Sequence, residues 1–308
     1  MKIIESIDEM RDYSRQLKRD GNIVSYVGTA GALHEGHMRL VNVAKSNSDI
    51  VILSVESTAS YCAYRTGLTK HDESYLNVYK EEDERLCKLN QVDVLFKPPA
   101  EELYSDGFGV DIEISGTVIA RLKKESTDTS PVSNIIIQSF ISNFNVISPD
   151  IIILGQKDIF QNWTVQELIK RLNFPIEVIT VPTVRDKDNV ACSSRLLKID
   201  DEERLKCIYQ VLQEVASWDY FPPIAKIKNY IEYKILESGG AIKYVVVCCP
   251  ETMEELDSLN PLDSKDGLAS LVVCAKFDGV YFHDNITIKT KSKINILIEN
   301  MSKYNEQV

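Results

Sequence analysis

Between residues 22 and 182, short apolar segments alternate with segments of helical pattern, and this alternation limits the folds open to the chain. The segment DIVILSV (49–55) is apolar almost throughout, as is typical of a strand covered on both faces. Strands that alternate with helices predict a parallel sheet with right-handed crossovers. The other predicted strands are 22–27, 92–97, 149–155 and 176–182, and the predicted helices between them are 38–46, 73–89, 133–147 and 161–172.

The pattern changes after VPTVRDKDN (181–189). A helical segment, 200–218, is followed by mixed segments such as IKYVVVCCPETMEELD (242–257). We therefore predict two domains, a larger α/β domain over 1–184 and a smaller α+β domain over 185–308.

Charge and cysteine content exclude some classes of protein. The formal net charge is −11, which argues against a nucleic-acid partner because no broad basic face is available to neutralise phosphates. No apolar run approaches the length of a membrane span, and the first residues lack a secretory signal pattern. The seven scattered cysteines form no Cys-x-x-Cys pair and are odd in number, which favours reduced thiols. These features predict a cytoplasmic protein without membrane contact.

A glycine- and histidine-rich segment, GTAGALHEGHMRLV (28–41), joins a predicted strand to a predicted helix. Free amides at a helix start and the helix dipole favour an anion there. His34 and His37 are three residues apart and share one side of the first turn, so both could donate to phosphate oxygens. Gly36 between them would let a nucleotide approach the backbone. The segment therefore predicts a phosphate site.

Two other interpretations of this segment remain open. The spacing alone supports a helix start with two solvated histidines as well as it supports a phosphate site. A metal pair is the weakest interpretation, because two histidines need at least one more ligand and only His71 and Cys62 offer themselves.

Two further segments follow predicted strands and carry anion-binding side chains. In LGQKD (154–158), a lysine can reach a phosphate and an aspartate can accept from ribose hydroxyls. In CSSRLL (192–197), two hydroxyls and an arginine can form an anion site. Each segment also has a structural interpretation: an exposed loop for the first, and an N-capping serine with a solvated arginine for the second.

Taken together and in this order, these segments resemble the pantothenate synthetase (pantoate–β-alanine ligase) family from Met1 to about Ile288. The resemblance is most specific over 151–195. It implies a Rossmann-like, nucleotidyltransferase-type (HIGH-type) parallel sheet domain with a small C-terminal lid domain. It also implies ATP as a substrate, Mg²⁺ on the leaving pyrophosphate without a dedicated set of metal-ligating side chains, acyl transfer from an adenylate to an amine, and a homodimer.

The resemblance also assigns roles to individual residues. The residues that would stabilise charge on the phosphates are His34, His37, Lys157, Ser193, Ser194 and Arg195. The residues that would bind the nucleotide are Thr29, Gly31, Gly36, Gly155, Asp158 and Val184. The residues that would bind the acid are Ala30, Tyr61 and Gln161.

The chain departs from the family mainly where the acid would bind. The family's Phe-Val-Asn-Pro-x-Gln-Phe is replaced by ESTASYC (56–62), so that a substrate-binding glutamine becomes Tyr61. The family's Arg-Pro-Gly-His-Phe-x-Gly is replaced by TSPVSNI (129–135), and its Pro-Thr-Met-Gly by GTAG (28–31). Lost hydrogen-bond partners cost roughly 1–3 kcal/mol each. We therefore predict an AMP-forming carboxylate–amine ligase with a changed acid substrate.

Four alternatives remain open. The nearest is a divergent but authentic pantothenate synthetase. The others are a nucleotidyltransferase that adenylates a phosphate group, a non-catalytic ATP-binding protein, and an aminoacyl-tRNA synthetase, which the acidic charge disfavours.

Overall fold

The computed structural model describes residues 1–56, 73–103, 134–259 and 267–290. Its contacts divide these residues into two compact units. The first holds the described residues up to 184 together with 192–194, and the second holds 185–191 and the described residues from 195 onward.

The first unit is built on a six-stranded sheet in which every pair of neighbouring strands is parallel. The predicted parallel α/β fold is therefore confirmed. Its strand order is β1-β4-β3-β2-β5-β6. The strands are β1 (Lys2–Ile4), β2 (Val24–Thr29), β3 (Ile50–Val55), β4 (Val94–Phe96), β5 (Ile151–Gly155) and β6 (Glu177–Val181).

Helices connect these strands. Ser6 caps the first of them by accepting from the backbone N–H of Glu9. The apolar segment 133–147 is a helix as predicted, despite its β-branched residues, because it packs against other elements of the unit. The helices of this unit are α1 (Ile7–Arg19), α2 (Glu35–Lys45), α3 (Glu73–Leu89), α4 (Ala100–Leu103), α5 (Asn134–Ile147) and α6 (Ile159–Arg171).

Helix α2 packs on the centre of the sheet through one apolar face. Met38, Val41 and Ala44 are all buried, and they belong to one core cluster with Leu53 and Ile153 of the sheet. Because strands on either side of β2 contribute to this cluster, the start of α2 is held against the middle of the sheet.

The second unit pairs two helices with a small antiparallel sheet. A 3₁₀ segment, Glu202–Leu205, leads into α7 (Lys206–Ala216), and α8 (Ile224–Glu237) follows. The sheet has the order β7-β8-β9, formed by Ala241–Cys248, Leu268–Phe277 and Val280–Lys289. The buried apolar faces of both helices and the sheet form one core, including Val211, Leu212, Ile227, Ile231, Leu271 and Val273.

Several boundaries differ from the predictions. Helix α2 begins at Glu35 rather than at residue 38, because His34 caps it. Helix α6 begins at Ile159 rather than at 161. The short strand β1 pairs with β4 but is too short to be recognised by periodicity. In the parts of the chain that the structure describes, no helix combines the length and apolarity needed to cross a membrane.

Candidate active site

The order of the strands places a crevice between β2 and β5. The chain leaves β2 toward β3 on one side and leaves β5 toward β6 on the other, so the connections change direction here. The two strands pair at Ser25–Ile151 and Tyr26–Ile152, three residues before each strand ends. In parallel sheets, ligands bind beyond the carboxyl ends of the strands at such a point. The histidine segment follows β2, and LGQKD ends β5.

The two histidines form the cap of helix α2. His34 is the N-cap residue, and its Nδ1 accepts from the backbone N–H of Gly36 at 3.1 Å. Nδ1 of His37 accepts from the backbone N–H of His34 at 3.3 Å. This is a reciprocal capping box in which imidazole nitrogens replace the usual hydroxyl and carboxylate. Both rings are half-buried, so the interpretation as two solvated histidines is wrong.

This cap fixes which ring nitrogens carry protons. Burial, the positive charge of Lys157 and a smaller opposing effect of Asp158 leave the pKa of His34 at about 4. The pKa of His37 is lowered well below its usual value, first by burial and then by His34 and Lys157. Both rings are therefore neutral at pH 7. Because each Nδ1 accepts a hydrogen bond, each proton lies on Nε2.

The neutral rings change how an anion would be bound here. The backbone amides of His34 and Gly36 already donate to ring nitrogens, so the expectation of free amides at this helix start is wrong for these two. The donors available from the rings themselves are the two Nε2–H groups. The ring centroids are 4.0 Å apart, so the two donors belong to one site.

Gly36 has a structural role in this arrangement. A Cβ atom at this position would lie 2.8 Å from Cε1 and 2.9 Å from Nδ1 of His34. The absence of a side chain therefore leaves room for the His34 ring over the helix start. Close approach of a nucleotide to Gly36 stays a prediction.

Residues at the end of β5 bring charge to the same site. Lys157 is half-buried, and its charge acts on both histidines, which places it beside them. Asp158 is exposed at the N-cap position of α6, where its side chain makes no capping hydrogen bond. No described atom lies within 4 Å of a Cβ built on Gly155. The space beside this glycine is thus open in the part of the molecule that the structure describes.

The loop before His34 is held by a carboxylate that the sequence analysis did not identify. Asp83 of α3 is 4% exposed and accepts from the backbone N–H groups of Ala32 at 3.0 Å and Leu33 at 2.7 Å. Ala32 has φ +50°, so the loop adopts a left-handed conformation that costs free energy. Burial raises the pKa of Asp83, and the two backbone hydrogen bonds oppose that shift. Asp83 is a positioning residue for the histidine cap.

Asp83→Asn is expected to destabilise the protein by about 1–3 kcal/mol, because an amide group leaves at least one buried N–H of the loop without its acceptor. The free energy of unfolding in urea measures this effect. The neighbouring Glu82→Gln is the control: Glu82 is an exposed partner of Arg85, so its loss should leave the free energy of unfolding nearly unchanged. Equal stability of the two variants would contradict the role given to Asp83.

The loop between the strand β2 and the histidines also carries the other predicted residues of this segment. Thr29 ends β2, and its Oγ1 donates to the carbonyl of Ser54 on β3 at 2.7 Å. Gly31 has φ +81° and donates its N–H to the same Oγ1 at 3.4 Å. Ala30 is exposed between them. Thr29 thus fixes the turn toward His34, while its nucleotide contact stays a prediction.

The segment CSSRLL (192–197) belongs to the first unit only over residues 192–194. The N–H of Cys192 donates to the carbonyl of Val184 at 2.9 Å, and Cβ of Cys192 lies 3.4 Å from a Cβ built on Gly36. This contact brings the segment to the start of α2. Ser193 is buried, and Ser194 begins a 3₁₀ helix, Ser194–Lys198. Arg195 is exposed and belongs to the second unit.

The predicted acid-binding residues are only partly described. Gln161 lies half-buried in the first turn of α6. Tyr61 lies outside the described residues, as do His71 and Cys62 of the metal interpretation and most of 129–135. Within the described ranges, no group of three or more histidine, cysteine or acidic side chains is arranged to hold a metal ion.

The six-stranded parallel sheet and the histidine pair at its central crevice define a Rossmann-like domain of the nucleotidyltransferase type. The sequence matches the pantoate-beta-alanine ligase family over residues 2–287, and the chain belongs to this family. Pantothenate synthetases from Geobacillus kaustophilus and Sulfurihydrogenibium are similar relatives. The first is 31% identical, and the match covers 94% of this chain and 93% of the relative. The second is 32% identical, and the match covers 93% of this chain and 99% of the relative.

Solved structures support the same assignment. The pantothenate synthetase of Thermus thermophilus superposes with a TM-score of 0.73 at 26% identity, covering 93% of this chain and 99% of its own. A pantoate-beta-alanine ligase from Francisella tularensis, 24% identical, has the same fold with a TM-score of 0.70, covering 93% and 97%.

Proposed function

We propose that this protein is an ATP-dependent, AMP-forming ligase that joins a small carboxylic acid to a small amine. The observation that carries the proposal is the pair of neutral imidazoles beside Lys157 at the open end of β2 and β5. The family is named for ligation of pantoate and β-alanine, and its similar relatives are pantothenate synthetases.

In the first step, the carboxylate of the acid attacks the α-phosphorus of ATP, and the bond to the bridging oxygen of the β-phosphate breaks. Negative charge grows on the departing pyrophosphate. The Nε2–H groups of His34 and His37 would donate to these oxygens, and Lys157 would place its positive charge beside them. Donors already fixed in position stabilise a transition state without reorganisation.

In the second step, the amine attacks the acyl carbon, AMP leaves and an amide forms. On the resemblance, Ser193, Ser194 and Arg195 would contact the phosphates during the first step. Thr29, Gly31, Gly36, Gly155, Asp158 and Val184 would hold the nucleotide, and Ala30, Tyr61 and Gln161 the acid.

Mg²⁺ belongs to this proposal as a partner of the nucleotide. The groups that act on one another at this site are two imidazoles, a lysine and Asp158, and only Asp158 is a carboxylate of the kind that binds Mg²⁺ in proteins. The ion would therefore be held mainly by phosphate oxygens and would neutralise their charge. Two copies of the chain pairing in a homodimer and a cytoplasmic location stay predictions.

The acid is proposed to differ from pantoate, since ESTASYC (56–62) and TSPVSNI (129–135) replace family segments that bind it. The second candidate is an authentic pantothenate synthetase, which the match over 2–287 favours. ATP–pyrophosphate exchange without amine separates them. Exchange with pantoate supports the second candidate, whereas exchange only with other small acids supports a changed substrate.

A hydroxylamine trap tests the type of chemistry. An acyl-adenylate gives a hydroxamate, whereas adenylation of a phosphate group gives none. Exchange that is accompanied by no hydroxamate would contradict the ligase and favour a nucleotidyltransferase. Absence of ATP binding together with absence of exchange would contradict both.

Gly155→Ala is expected to raise the KM for ATP about tenfold while the midpoint of unfolding stays unchanged or rises. The added methyl group meets no described atom within 4 Å, so the folded protein accommodates it. If the ribose lies against this backbone, the methyl group collides with the ligand. Steady-state exchange kinetics and thermal unfolding measure the two effects. An unchanged KM for ATP would contradict the predicted contact between Gly155 and the nucleotide.

A further inference from the structure

A buried polar side chain lies at the start of α6, close to the turn that carries Lys157. Asn162 is 5% exposed and belongs to the first turn of this helix. Its Nδ2 donates to the carbonyl oxygen of Gly155 at 3.3 Å and to Oγ1 of Thr180 on β6 at 3.2 Å. Its Oδ1 accepts from Nε2 of Gln166 at 2.6 Å. The side chain therefore joins α6 to both β5 and β6.

The orientation of this amide follows from its partners. A carbonyl oxygen can only accept, so the nitrogen of the Asn162 side chain must face Gly155. The amide oxygen then faces Gln166, which donates an N–H group to it. Both ends of the buried amide are thus satisfied. A leucine would fill a similar volume and make none of these hydrogen bonds, so the hydrogen bonds are what distinguish asparagine at this position.

The bond to Gly155 is made where the sheet begins to separate. The pairing of β2 with β5 ends at Tyr26–Ile152, three residues before Gly155. The next residue, Gln156, is still held by β6, because its N–H donates to the carbonyl of Val181 at 2.8 Å. Asn162 supplies a hydrogen bond to the backbone of β5 at the point where the ladder from β2 is no longer available.

This bond also joins the two ends of a segment that holds most of the predicted residues of α6 and β5. Residues 155–162 contain four positions that the resemblance assigns to ATP or to the acid: Gly155, Lys157, Asp158 and Gln161. At the N-cap of α6, the side chain of Asp158 makes no capping hydrogen bond. A side-chain cap therefore does not fix the start of this helix, and the bond from Asn162 constrains the turn instead.

We propose that Asn162 is a positioning residue that holds the turn 155–158 and so sets the position of Lys157 beside the two histidines. The inference rests on the phosphate site of the proposed function. Lys157 follows Gly155 by two residues, so a shift of the Gly155 carbonyl reaches the lysine through a short stretch of backbone. The charge of Lys157 acts on both histidines, which requires the lysine to stay close to them. Misplacement of a reacting group by about 1 Å can cost about 10²-fold in rate.

Two substitutions remove the donor to Gly155. Asn162→Asp keeps the shape and places an oxygen against the carbonyl, whereas Asn162→Leu keeps a similar size and removes every polar atom. Gln166→Ala is the matched control, because it removes an exposed partner of Oδ1 and leaves the donor to Gly155 in place. Thermal unfolding shows which variants fold. Loss of folding in both Asn162 variants would make Asn162 a residue of the core and overturn the proposal.

The first measurement is the Kd of the full chain for α,β-methylene-ATP, determined by calorimetry. We expect each folded Asn162 variant to bind the analogue about tenfold more weakly, the loss that corresponds to one displaced polar contact. Gln166→Ala should leave the Kd unchanged. An unchanged Kd in the folded Asn162 variants, or the same loss in Gln166→Ala, overturns the proposal.

A double-mutant cycle shows whether Asn162 acts through Lys157. Residues that act through one another have non-additive effects, so Asn162→Leu should weaken binding by about threefold or less once Lys157→Ala is present. A general loss of order would instead weaken binding by the same factor in both backgrounds. Equal factors in the two backgrounds would contradict a role for Asn162 in positioning Lys157.

ATP–pyrophosphate exchange separates this proposal from the proposed function. If an acid supports exchange and the Asn162 variants bind and exchange as the unaltered chain does, the ligase function stands and this proposal fails. If no acid supports exchange but the cycle shows coupling, the ligase function fails and Asn162 keeps its role at a nucleotide site. Absence of analogue binding by the unaltered chain overturns both.

Discussion

His34→Ala and Lys157→Ala are each expected to reduce the rate of adenylate formation by about 10²-fold or more. Each variant removes a group that we propose stabilises charge on the triphosphate, and loss of one such preorganised donor costs about 10²–10³ in rate. ATP–pyrophosphate exchange measures the effect, with the hydroxylamine trap as an independent check that the adenylate forms.

The controls separate chemistry from folding. Asparagine is a strong N-cap residue, so His34→Asn should preserve the start of α2 and still lose the Nε2–H donor. Lys170→Ala removes an exposed lysine from the same helix that follows Lys157, and it should leave exchange unchanged. Near-normal exchange in His34→Asn and Lys157→Ala would contradict the phosphate site.

Asp284→Asn is expected to destabilise the second unit by about 3–5 kcal/mol. Asp284 is 4% exposed, and its two oxygens accept from Nη1 and Nη2 of Arg185 at 2.7 and 2.8 Å. The guanidinium also lies 3.3 Å from the centre of the Tyr209 ring. Loss of one partner leaves a buried charge uncompensated, which accounts for the size of the effect. Urea denaturation monitored by circular dichroism measures it.

Asp278→Asn is the matched control for this prediction. Asp278 also pairs with an arginine of the second unit, Arg204, but its side chain is 50% exposed. An exposed ion pair contributes at most about 1 kcal/mol, because water and salt screen it. If both variants lose the same stability, burial is not what makes the Arg185 pair important.

The parallel sheet could be predicted from the sequence because its strands are apolar runs and its helices have regular polar faces. The helix start at His34 could not be placed correctly, since histidine is not among the usual capping residues. The spacing of the two histidines predicted a shared site. It did not predict that their Nδ1 atoms are used by the backbone, which depends on the positions of the rings.

Asp83 was missed because its partners lie far away in the chain. It contacts a loop fifty residues earlier. A signal was present for Asp83, because it shares the buried face of α3 with Cys87, four residues on. A carboxylate on a buried helix face needs a partner, and the sequence does not say which.

The double use of the two histidines affects how this enzyme could be redesigned. A new substrate preference can be sought at Gln161 of α6, whose side chain takes no part in the cap of α2. The histidine pair offers no such freedom, because each ring accepts the cap hydrogen bond on one side and, in the proposed reaction, donates to phosphate from the other. A replacement side chain would have to accept from the backbone and donate to phosphate at the same time. Laboratory evolution of the chain should therefore accumulate changes around the acid while the nucleotide end stays fixed.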